Sequence, residues 1–307
     1  MDIKALHMKL LLLGSNGQVG WELQRSMATL GKLKACDRNT LDFTDLDGLR
    51  KLIRDYNPDV IVNAAAYTDV DKAESDRENA FLVNSRAVDL LAQEAKALDS
   101  WLVHYSTDYV FDGEKIDPYT EEDKTNPLSV YGKTKLQGEE AIKKSKCKYL
   151  IFRSSWLYGA HGKNFVKTII KLARERDELR VISNQIGAPT SAELVADVTS
   201  LCLYRITQNS LSSKEISGVY HLTSTGKASW HDFAKYVIVV SQKFGAVFLT
   251  NPENIIAINA SEYVLPAKRP ANSLLDTRKL CKTFNLHLPV WQTNADRTIK
   301  ELYSRGA

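Results

Sequence analysis

The feature of the sequence that most constrains its fold is a glycine-rich turn between an apolar run and a helical pattern. The run Lys9–Leu13 leads directly into Gly14-Ser-Asn-Gly17-Gln-Val-Gly20. Beyond the turn, apolar residues recur every three or four positions across Gln18–Leu30, which is the spacing of an amphipathic helix. An apolar strand that enters a helix through such a turn is typical of the first βα unit of a parallel sheet.

Each glycine of this turn has a separate steric task. Gly14 permits the sharp turn out of the strand, and Gly20 lets the helix pack close to it. Gly17 allows the backbone to approach a phosphate, which the free N–H groups at the helix N-terminus then bind. The spacing is GxxGxxG and no Lys followed by Ser or Thr comes after it, so a P-loop nucleotide hydrolase is excluded. The turn predicts a dinucleotide site.

Further apolar runs alternate with amphipathic stretches along the first half of the chain. Asn79–Leu98 has the helical period. The short apolar runs are candidates for buried strands: Leu33–Cys36, Asp59–Asn63, Trp101–Tyr105 and Tyr149–Phe152. Strands separated by helices indicate a Rossmann-type, doubly wound parallel sheet of the α/β class, which we assign to residues 8–155.

The alternation of strand and helix patterns is less regular in the second half of the chain. Asn164–Arg176 and Ser229–Lys243 have helical patterns, and Val219–Thr223 has a strand pattern. No linker or repeat separates the halves. We therefore expect residues 156–307 to form a smaller, C-terminal α/β region that binds substrate, with some of its segments returning to the first domain.

Composition and charge exclude several classes of protein. The formal charge of +4 is spread along the chain without a basic run, so no nucleic-acid partner is expected. The four cysteines form no CxxC pair, which fits a reducing compartment. Met1–Lys9 does not have the pattern of a signal peptide. Runs such as Leu10–Leu13 fall far short of the ~20 residues that span a bilayer, so we expect a cytoplasmic protein without a membrane partner.

Two charged neighbours bear on the choice of cofactor. Asp37 ends the second strand candidate, where an acid accepts hydrogen bonds from the adenosine ribose and favours NAD. Arg38 follows directly and is suited to a 2′-phosphate, which favours NADP. The choice between NADH and NADPH stays open at this point. Asp42 and Phe43 lie where an adenine is contacted, or in the N-cap region of a helix.

The strongest chemical signal is Tyr131-Gly-Lys-Thr-Lys135. Residues four positions apart on a helix share a face, and a nearby ammonium is expected to lower the pKa of the phenol. Such a phenol is a proton donor for a developing alkoxide. The fourth strand candidate leads into Ser106 and Thr107, either of which offers a hydroxyl to a substrate carbonyl at the carboxyl edge of the sheet.

These features, with several longer motifs, resemble a known enzyme family. The chain resembles the extended short-chain dehydrogenases/reductases, and among them the dTDP-4-dehydrorhamnose reductase family from Lys9 almost to the C-terminus. The motifs that carry the resemblance are Gly17-Gln-Val-Gly-Trp-Glu-Leu-Gln24, Asn63-Ala-Ala-Ala-Tyr-Thr-Asp-Val-Asp-Lys-Ala-Glu74, His104-Tyr-Ser-Thr-Asp-Tyr-Val-Phe-Asp112, Phe152-Arg-Ser-Ser-Trp-Leu-Tyr158, Gln185-Ile-Gly-Ala-Pro-Thr190 and Arg269-Pro-Ala-Asn-Ser273.

The resemblance implies NAD(P)H-dependent reduction of the 4-keto group of dTDP-4-dehydro-L-rhamnose, for cell-surface polysaccharide. It implies that Tyr131 donates the proton, Lys135 tunes it and holds the nicotinamide ribose, and Thr107 binds the carbonyl. Asp108 would hold the sugar, and Trp156 would line the substrate pocket unless it belongs to the core. The cofactor contacts that it implies are Gly17, Gln18, Val19, Asp37, Asp42, Phe43, Ala65 and Ala66, with Tyr105 beside them.

The resemblance also implies a homodimer with a structural Mg²⁺. Some members of the family bind that ion at the dimer contact through glutamates, and Glu22, Glu193 and Glu301 stand at matching positions. Isolated surface glutamates are usually only solvated, which is the alternative interpretation. Hydride transfer to a ketone with a tyrosine acid needs no metal, so such an ion would be structural.

Two other functions are compatible with parts of the sequence. A nucleotide-sugar dehydratase or epimerase has the same scaffold, but dehydratases place a second acid after the catalytic Thr-Asp, where this chain has Tyr109. A non-catalytic subunit, like the regulatory subunit of methionine adenosyltransferase, keeps the Tyr-Lys pair. The segments Ser155–Leu157 and Gln185–Thr190 resemble the reductase instead.

Overall fold

The protein, described by a computed structural model over residues 8–207 and 216–304, is built around one parallel sheet. Most of Met1–Lys9, the segment expected not to be a signal peptide, lies outside the described residues, which begin at Met8. The strands are β1 (Lys9–Leu13), β2 (Lys32–Cys36), β3 (Val60–Asn63), β4 (Trp101–Thr107), β5 (Lys148–Ser154), β6 (Leu157–Tyr158), β7 (Leu179–Ile182), β8 (Ile186–Gly187), β9 (Thr190–Ser191), β10 (Gly218–His221), β11 (Ala228–Ser229) and β12 (Ile255–Ile258).

Helices connect these strands and cover both faces of the sheet. They are α1 (Gln18–Ser26), α2 (Leu46–Tyr56), α3 (Arg77–Phe81), α4 (Ala87–Ala97), α5 (Val130–Ser145), α6 (Phe165–Glu175), α7 (Ala192–Thr207), α8 (Trp230–Lys243), α9 (Arg278–Phe284) and α10 (Trp291–Ser304). No helix in the described ranges combines the length and the apolar character that crossing a bilayer requires.

The order of the strands places a ligand crevice next to the glycine-rich turn. In the described residues the sheet has six strands in the order β2-β1-β3-β4-β5-β10, and each is parallel to its neighbours. The chain runs from β1 outward to β2 and then returns to β3 on the other side of β1. Ligands of such sheets bind at the carboxyl ends of the strands where the order reverses. The predicted doubly wound parallel sheet is confirmed.

Alternation along the strands divides the core between the two faces of the sheet. Leu10, Leu12 and the same-facing residues of β3 to β5 pack with α1, α7 and α9. Leu11, Leu13 and their counterparts pack with α2, α4 and α5. Because both faces are covered, the central strands β1 and β3 are almost entirely apolar, whereas the edge strand β2 carries exposed lysines. Burying each leucine side chain contributes about 1.5–3 kcal/mol to folding.

The second half of the chain forms a third apolar cluster and also extends the sheet. Tyr158, Phe233 and Trp291 belong to the cluster, which lies among α6, α8 and α10. Strand β12 pairs with β7 outside the central sheet, whereas β10 pairs with β5 at its edge. Helix α7 packs on α1. A boundary between two domains at residue 155 stays a prediction.

The helical pattern at Asn79–Leu98 is interrupted in the structure. It is divided into α3, a π-helical turn at Leu82–Arg86, and α4. The wider turn contains Asn84, a buried residue whose side chain bonds outside its own helix. Periodicity does not reveal such a turn because it keeps the apolar face nearly continuous. Helices α2, α7 and α10 lie where we predicted no element.

Gly20→Ala is expected to destabilise the protein. A Cβ at Gly20 would lie 2.0 Å from the carbonyl oxygen of Gly14, so α1 would have to move away from the turn. Overpacking of this kind costs about 1–3 kcal/mol. The matched control is Gly218→Ala, whose Cβ would meet its nearest atom at an ordinary 3.6 Å. Thermal unfolding of both variants measures the difference, and equal melting temperatures would contradict the packing argument.

Candidate active site

The glycine-rich turn follows the carboxyl end of β1 and contacts the ends of β2 and β3, the two strands that flank β1. The N–H groups of Gly14 and Ser15 donate to the carbonyl of Cys36 at 2.9 and 3.0 Å. Gly14 has a φ of 82°, and a Cβ there would lie 2.5 Å from the nitrogen of Ala65. Gly17 is the N-cap of α1 and no side chain caps the helix. This uncapped helix start fits a pyrophosphate.

A segment from the second half covers this turn. The amide of Asn164 donates to Gln18 Oε1 at 2.9 Å. His161 contacts the carbonyl of Asn16 through Nε2 at 3.0 Å, and its ring stacks on Trp21 with centroids 4.4 Å apart. The predicted cofactor residue Gln18 is therefore held by the segment that links the two halves of the chain.

The carboxylate of Asp37 is held by the backbone that follows it. It accepts hydrogen bonds from the N–H groups of Asn39 and Thr40 at 3.0 and 3.1 Å, and from the amide of Asn16. Slight desolvation opposes these bonds, but together they lower the pKa of Asp37. Arg38 is exposed and makes no hydrogen bond or ion pair within the described part of the chain. Of Asp37 and Arg38, Arg38 is the one whose side chain is not already held by hydrogen bonds within the described residues.

The other predicted cofactor residues have different surroundings. Asp42 accepts from the N–H of Thr44 at 2.8 Å, but the N-cap of α2 is Asp45. Phe43 packs half-buried on the core near α2. Ala65 and Ala66, which follow β3, are partly exposed. Val19 and Tyr105 are buried in the core on the side of the sheet that α7 covers.

Two hydrogen bonds fix the start of α5, the helix that carries the Tyr-Lys pair. Ser129 is the N-cap and accepts from the N–H of Gly132 at 3.1 Å. Glu74 reaches from another segment and accepts from the N–H of Val130 at 2.8 Å. Since these bonds satisfy donors of the first turn, Tyr131 lies in a well-anchored part of the helix.

The π-helical turn holds the middle of α5. The Asn84 amide donates to Thr134 Oγ1 at 3.2 Å and to the carbonyl of Tyr67 at 3.1 Å. Its backbone oxygen lies so close to α5 that a Cβ at Gly138 would approach it to 2.4 Å. Thr134 and Gly138 therefore face the turn. Asn84 therefore positions α5, the helix that carries Tyr131 and Lys135, and the only hint of this in the sequence is an asparagine within a helical pattern.

A buried ion pair anchors α5 to β5. Arg153 donates to both carboxylate oxygens of Glu139, at 2.9 and 2.6 Å, and both side chains are almost fully buried. Burial would raise the pKa of Glu139, but the hydrogen bonds and charge of Arg153 outweigh it and lower that pKa. The two residues are charged at neutral pH and fix the helix relative to the sheet.

Tyr131, Thr107 and Asp108 lie close together at the carboxyl end of β4. The hydroxyl of Thr107 lies near enough to the Tyr131 phenol to favour the charged form of that phenol. It also donates to Asp108 Oδ1 at 3.1 Å, and Ser273 Oγ donates to Asp108 Oδ2 at 2.5 Å. The structure thus brings together the residues predicted to donate a proton, bind a carbonyl and hold a sugar. It adds Ser273, which we had not singled out.

The pKa of the phenol differs from the expectation. Burial and the charge of Asp108 raise the pKa of Tyr131 to about 12, while the nearby Thr107 hydroxyl acts to lower it. The prediction that Lys135 lowers this pKa is wrong for this arrangement. Lys135 Nζ instead donates to the carbonyl of Tyr105 at 2.5 Å and lies 3.2 Å from His104 Nε2. Tyr131 therefore holds its proton firmly at neutral pH.

The carboxyl group of Asp108 is poised to change charge near neutral pH. Burial raises its pKa to about 6, while hydrogen bonds from Ser273 and Thr107 oppose that rise. The backbone around Ser273 is held by strand-like hydrogen bonds. The N–H of Ser273 donates to the carbonyl of Ile186 at 2.8 Å. Asn272 donates its backbone N–H to Gly113 at 3.1 Å. A segment far along the chain, around Ser273, therefore supplies one of the hydrogen bonds that the Asp108 carboxylate accepts.

Trp156 lies just past β5 in a strained backbone conformation. Its φ is 51°, which is uncommon for a bulky residue and typical of functional sites. The ring stacks on Trp230, with centroids 3.5 Å and planes 8° apart. On its other side, a Cβ at Gly187 would come within 2.4 Å of it. Trp156 is partly exposed at the same end of the sheet as Thr107.

The three glutamates predicted to hold Mg²⁺ lie near one another. Burial raises the pKa of Glu22, and the charges of Glu193 and Glu301 add to this, whereas Arg25 opposes it. Glu193 accepts an ion pair from Arg297 at 2.8 Å. Within the described residues of this single chain, no set of three acidic, histidine or cysteine side chains is arranged to hold a metal. The metal site stays a prediction.

Comparisons with known proteins agree with this geometry. A family model described as the RmlD substrate binding domain matches residues 8–304. The chain belongs to this family. It is 45% identical over 304 residues to the dTDP-4-dehydrorhamnose reductase of Escherichia coli (strain K12), covering 98% of this chain and 100% of that protein.

Solved structures of related proteins share the fold of this RmlD-family chain. A dTDP-4-dehydrorhamnose reductase from Clostridium acetobutylicum is similar with a TM-score of 0.87 and 35% identity, covering 96% of this chain and 99% of that one. The dTDP-4-dehydrorhamnose reductase from Bacillus anthracis, solved in complex with NADP, is similar with a TM-score of 0.86 and 31% identity. The match covers 96% of this chain and 100% of that one. The likeness extends over both halves of the chain.

Ser273→Ala is expected to raise the pKa of Asp108 above about 6. The serine hydroxyl stabilises the charged carboxylate, so its loss leaves the effect of burial less opposed. A hydrogen bond to a charged group corresponds to roughly one to two pH units. Carboxyl ¹³C NMR of the RmlD-family chain across pH measures the shift.

The matched control for that variant is Ser241→Ala. Ser241 is buried, and within the described chain its hydroxyl has no hydrogen-bond partner. It lies on α8, away from Asp108, so the Asp108 titration should stay as in the unmodified protein. An Asp108 pKa that is the same in both variants would show that Ser273 does not act on the carboxylate.

Proposed function

We propose that this protein reduces the 4-keto group of dTDP-4-dehydro-L-rhamnose to give dTDP-L-rhamnose, with NADPH or NADH as reductant. The observation that carries the proposal is that Tyr131, Thr107 and Asp108 lie together at the carboxyl end of β4, in a sheet whose first strand leads into an uncapped, glycine-rich helix start. Near-complete coverage of a curated dTDP-4-dehydrorhamnose reductase supports the choice of substrate. The product serves the synthesis of cell-surface polysaccharide.

The side chains at the end of β4 supply the acid chemistry of this reaction. A bound nicotinamide would supply the hydride for the carbonyl carbon of the sugar. The Tyr131 phenol transfers its proton to the carbonyl oxygen as negative charge develops there. The hydroxyl of Thr107, which donates to Asp108 in the structure, would turn to donate to the same oxygen and hold it near the phenol. A pKa of about 12 keeps Tyr131 protonated until that transfer.

The residues around the reacting group orient the sugar and the cofactor. Asp108, with Ser273 behind it, offers a carboxylate to a sugar hydroxyl. Trp156 is partly exposed beside the same end of the sheet, where an aromatic side chain suits contact with a sugar ring. Lys135 donates one N–H to the carbonyl of Tyr105, and another N–H of the same ammonium remains for the nicotinamide ribose.

The environments of Asp37 and Arg38 favour NADPH over NADH. The Asp37 carboxylate already accepts several local hydrogen bonds, whereas Arg38 is exposed beside the turn. A guanidinium is suited to bidentate binding of a phosphate. The related Bacillus anthracis enzyme was solved with NADP. This supports NADPH as the preferred reductant here.

The chemistry of the site does not favour the other functions that the sequence allowed. Tyr109 follows Asp108, and its ring packs edge-on against Tyr131 with centroids 5.6 Å apart, so no second acid stands there for dehydration. The remaining proposals are a cytoplasmic homodimer and a structural Mg²⁺. Their support is the crowding of Glu22 by Glu193 and Glu301, which a divalent cation shared between two copies would relieve.

Tyr131→Phe is expected to lower turnover by about 10²–10⁴-fold while cofactor binding is retained, because only the proton donor is removed. The loss of reduced-nicotinamide absorbance in the presence of the dTDP-keto-sugar measures turnover. Cofactor fluorescence measures binding. Turnover within a few-fold of the unmodified protein would refute the role given to this phenol.

The matched control is Tyr109→Phe. Its ring packs against Tyr131, and its phenol lies near the charge of Arg269. This variant should keep turnover within about tenfold of the unmodified protein, since it removes a phenol without removing the acid. If both variants lose activity equally, the site responds to any lost hydroxyl and the assignment to Tyr131 fails.

Arg38→Ala is expected to weaken NADPH binding by roughly tenfold and to leave NADH binding nearly unchanged, because only NADPH carries the 2′-phosphate. Steady-state KM values for the two cofactors measure this selectivity. Lys34→Ala is the control, since Lys34 is an exposed cation on β2 that precedes the turn at Asp37. Equal losses for both cofactors in Arg38→Ala would exclude a phosphate contact.

A further inference from the structure

A buried column of polar side chains runs from β3 through β4 to the catalytic helix. It consists of Asn63, His104 and Lys135, which are 1%, 0% and 2% exposed. Asn63 Nδ2 lies 3.1 Å from His104 Nδ1, and Lys135 Nζ lies 3.2 Å from His104 Nε2. Because buried polar groups need matched donors and acceptors, the direction of each hydrogen bond in the column can be worked out.

The orientation of the Asn63 amide is fixed by the backbone. The N–H of Ala65 donates to Asn63 Oδ1 at 3.1 Å, so the oxygen must face Ala65. The NH₂ group therefore faces His104 and donates to its Nδ1. The opposite orientation would place the NH₂ group against the N–H of Ala65, which leaves two donors in contact. His104 Nδ1 consequently carries no hydrogen.

The proton of His104 must then lie on the other ring nitrogen. Burial and the nearby charge of Lys135 lower the pKa of His104 well below its usual value, so the ring is neutral. A neutral ring with a bare Nδ1 carries its hydrogen on Nε2. This N–H points at Lys135 Nζ, and it is a donor that needs an acceptor.

Lys135 can accept this hydrogen bond in only one of its protonation states. The uncharged amine has a lone pair for His104 and two hydrogens, one of which it donates to the carbonyl of Tyr105. The ammonium has three hydrogens and no lone pair, so it would oppose the Nε2–H of His104. We propose that Asn63 and His104 are positioning residues whose fixed hydrogen-bond direction favours the uncharged amine of Lys135.

The other charged groups near Lys135 act in the opposite direction. Glu139 lies one turn further along α5, and its negative charge favours the ammonium. That carboxylate is shared with Arg153 on β5 and with Lys143, which limits its effect. Burial outweighs Glu139 and lowers the pKa of Lys135 to about 8. The column of Asn63 and His104 acts in the same direction as burial.

The consequence for catalysis rests on the proposed function, in which Lys135 serves the reaction as a cation. Below its pKa Lys135 is the ammonium, and above that pKa it is the amine. Activity should therefore fall as pH rises through about 8, rather than through the value of an ordinary lysine. The column sets the pH at which the enzyme loses its catalytic charge.

The first test needs no activity and uses the unmodified protein. Histidine-selective ¹⁵N labelling and long-range ¹H–¹⁵N spectra distinguish a protonated from a bare ring nitrogen. We expect His104 to be neutral with its hydrogen on Nε2 and with Nδ1 bare, from pH 6 to pH 9. A hydrogen on Nδ1 would overturn the proposal. This result is independent of whether the dTDP-sugar is the substrate.

The second test reverses the hydrogen-bond direction with Asn63→Asp. The introduced carboxylate still accepts from Ala65, but its second oxygen now requires a hydrogen on His104 Nδ1, which turns Nε2 into an acceptor for the ammonium. The alkaline limb of the kcat/KM profile should move up by roughly one pH unit or more. An unmoved limb in the folded variant would overturn the proposal.

The same substitution in a His104→Phe background separates this mechanism from simple attraction by the new charge. Without the imidazole, the introduced carboxylate acts on Lys135 only through its charge, so Asn63→Asp should move the limb less than half as far. An equal shift in both backgrounds would show that His104 transmits nothing and would refute the proposal. If the variants do not fold, the tautomer of the unmodified protein still decides the question.

Discussion

Two opposite charges buried between α5 and β5 hold the catalytic helix in place. Arg153 and Glu139 form two hydrogen bonds to each other in a region almost without solvent. Removing either partner leaves an uncompensated buried charge, which costs about 3–5 kcal/mol. The positions of Tyr131 and Lys135 depend on the helix that this pair fixes. Precision at the site therefore depends on an interaction behind it.

Local sequence patterns predicted much of the frame. Apolar runs gave most strands of the sheet, and the glycine spacing located the turn at Gly14 because a left-handed φ and close backbone contacts demand glycine there. The four-residue spacing of Tyr131 and Lys135 placed both on one helix. Each of these inferences needed only neighbours along the chain, which is why the sequence was sufficient.

Other features depend on contacts between distant segments, and the sequence did not reveal them. Ser273 reaches Asp108, and Trp230 stacks on Trp156, only after the second half folds over the sheet. The raised pKa of Tyr131 has the same origin, since burial and Asp108 outweigh the effect expected from helix spacing. His104 looked like an ordinary strand residue because its role depends on the side chains that border it.

The place of β10 at the sheet edge has a consequence for synthesis of the chain. Strand β5 leaves the ribosome long before β10, and until then its N–H and C=O groups form an open edge that can pair with other chains. Ser273 emerges later still. A nascent chain can therefore form its nucleotide turn while it is still open to aggregation and unable to complete the Asp108 site.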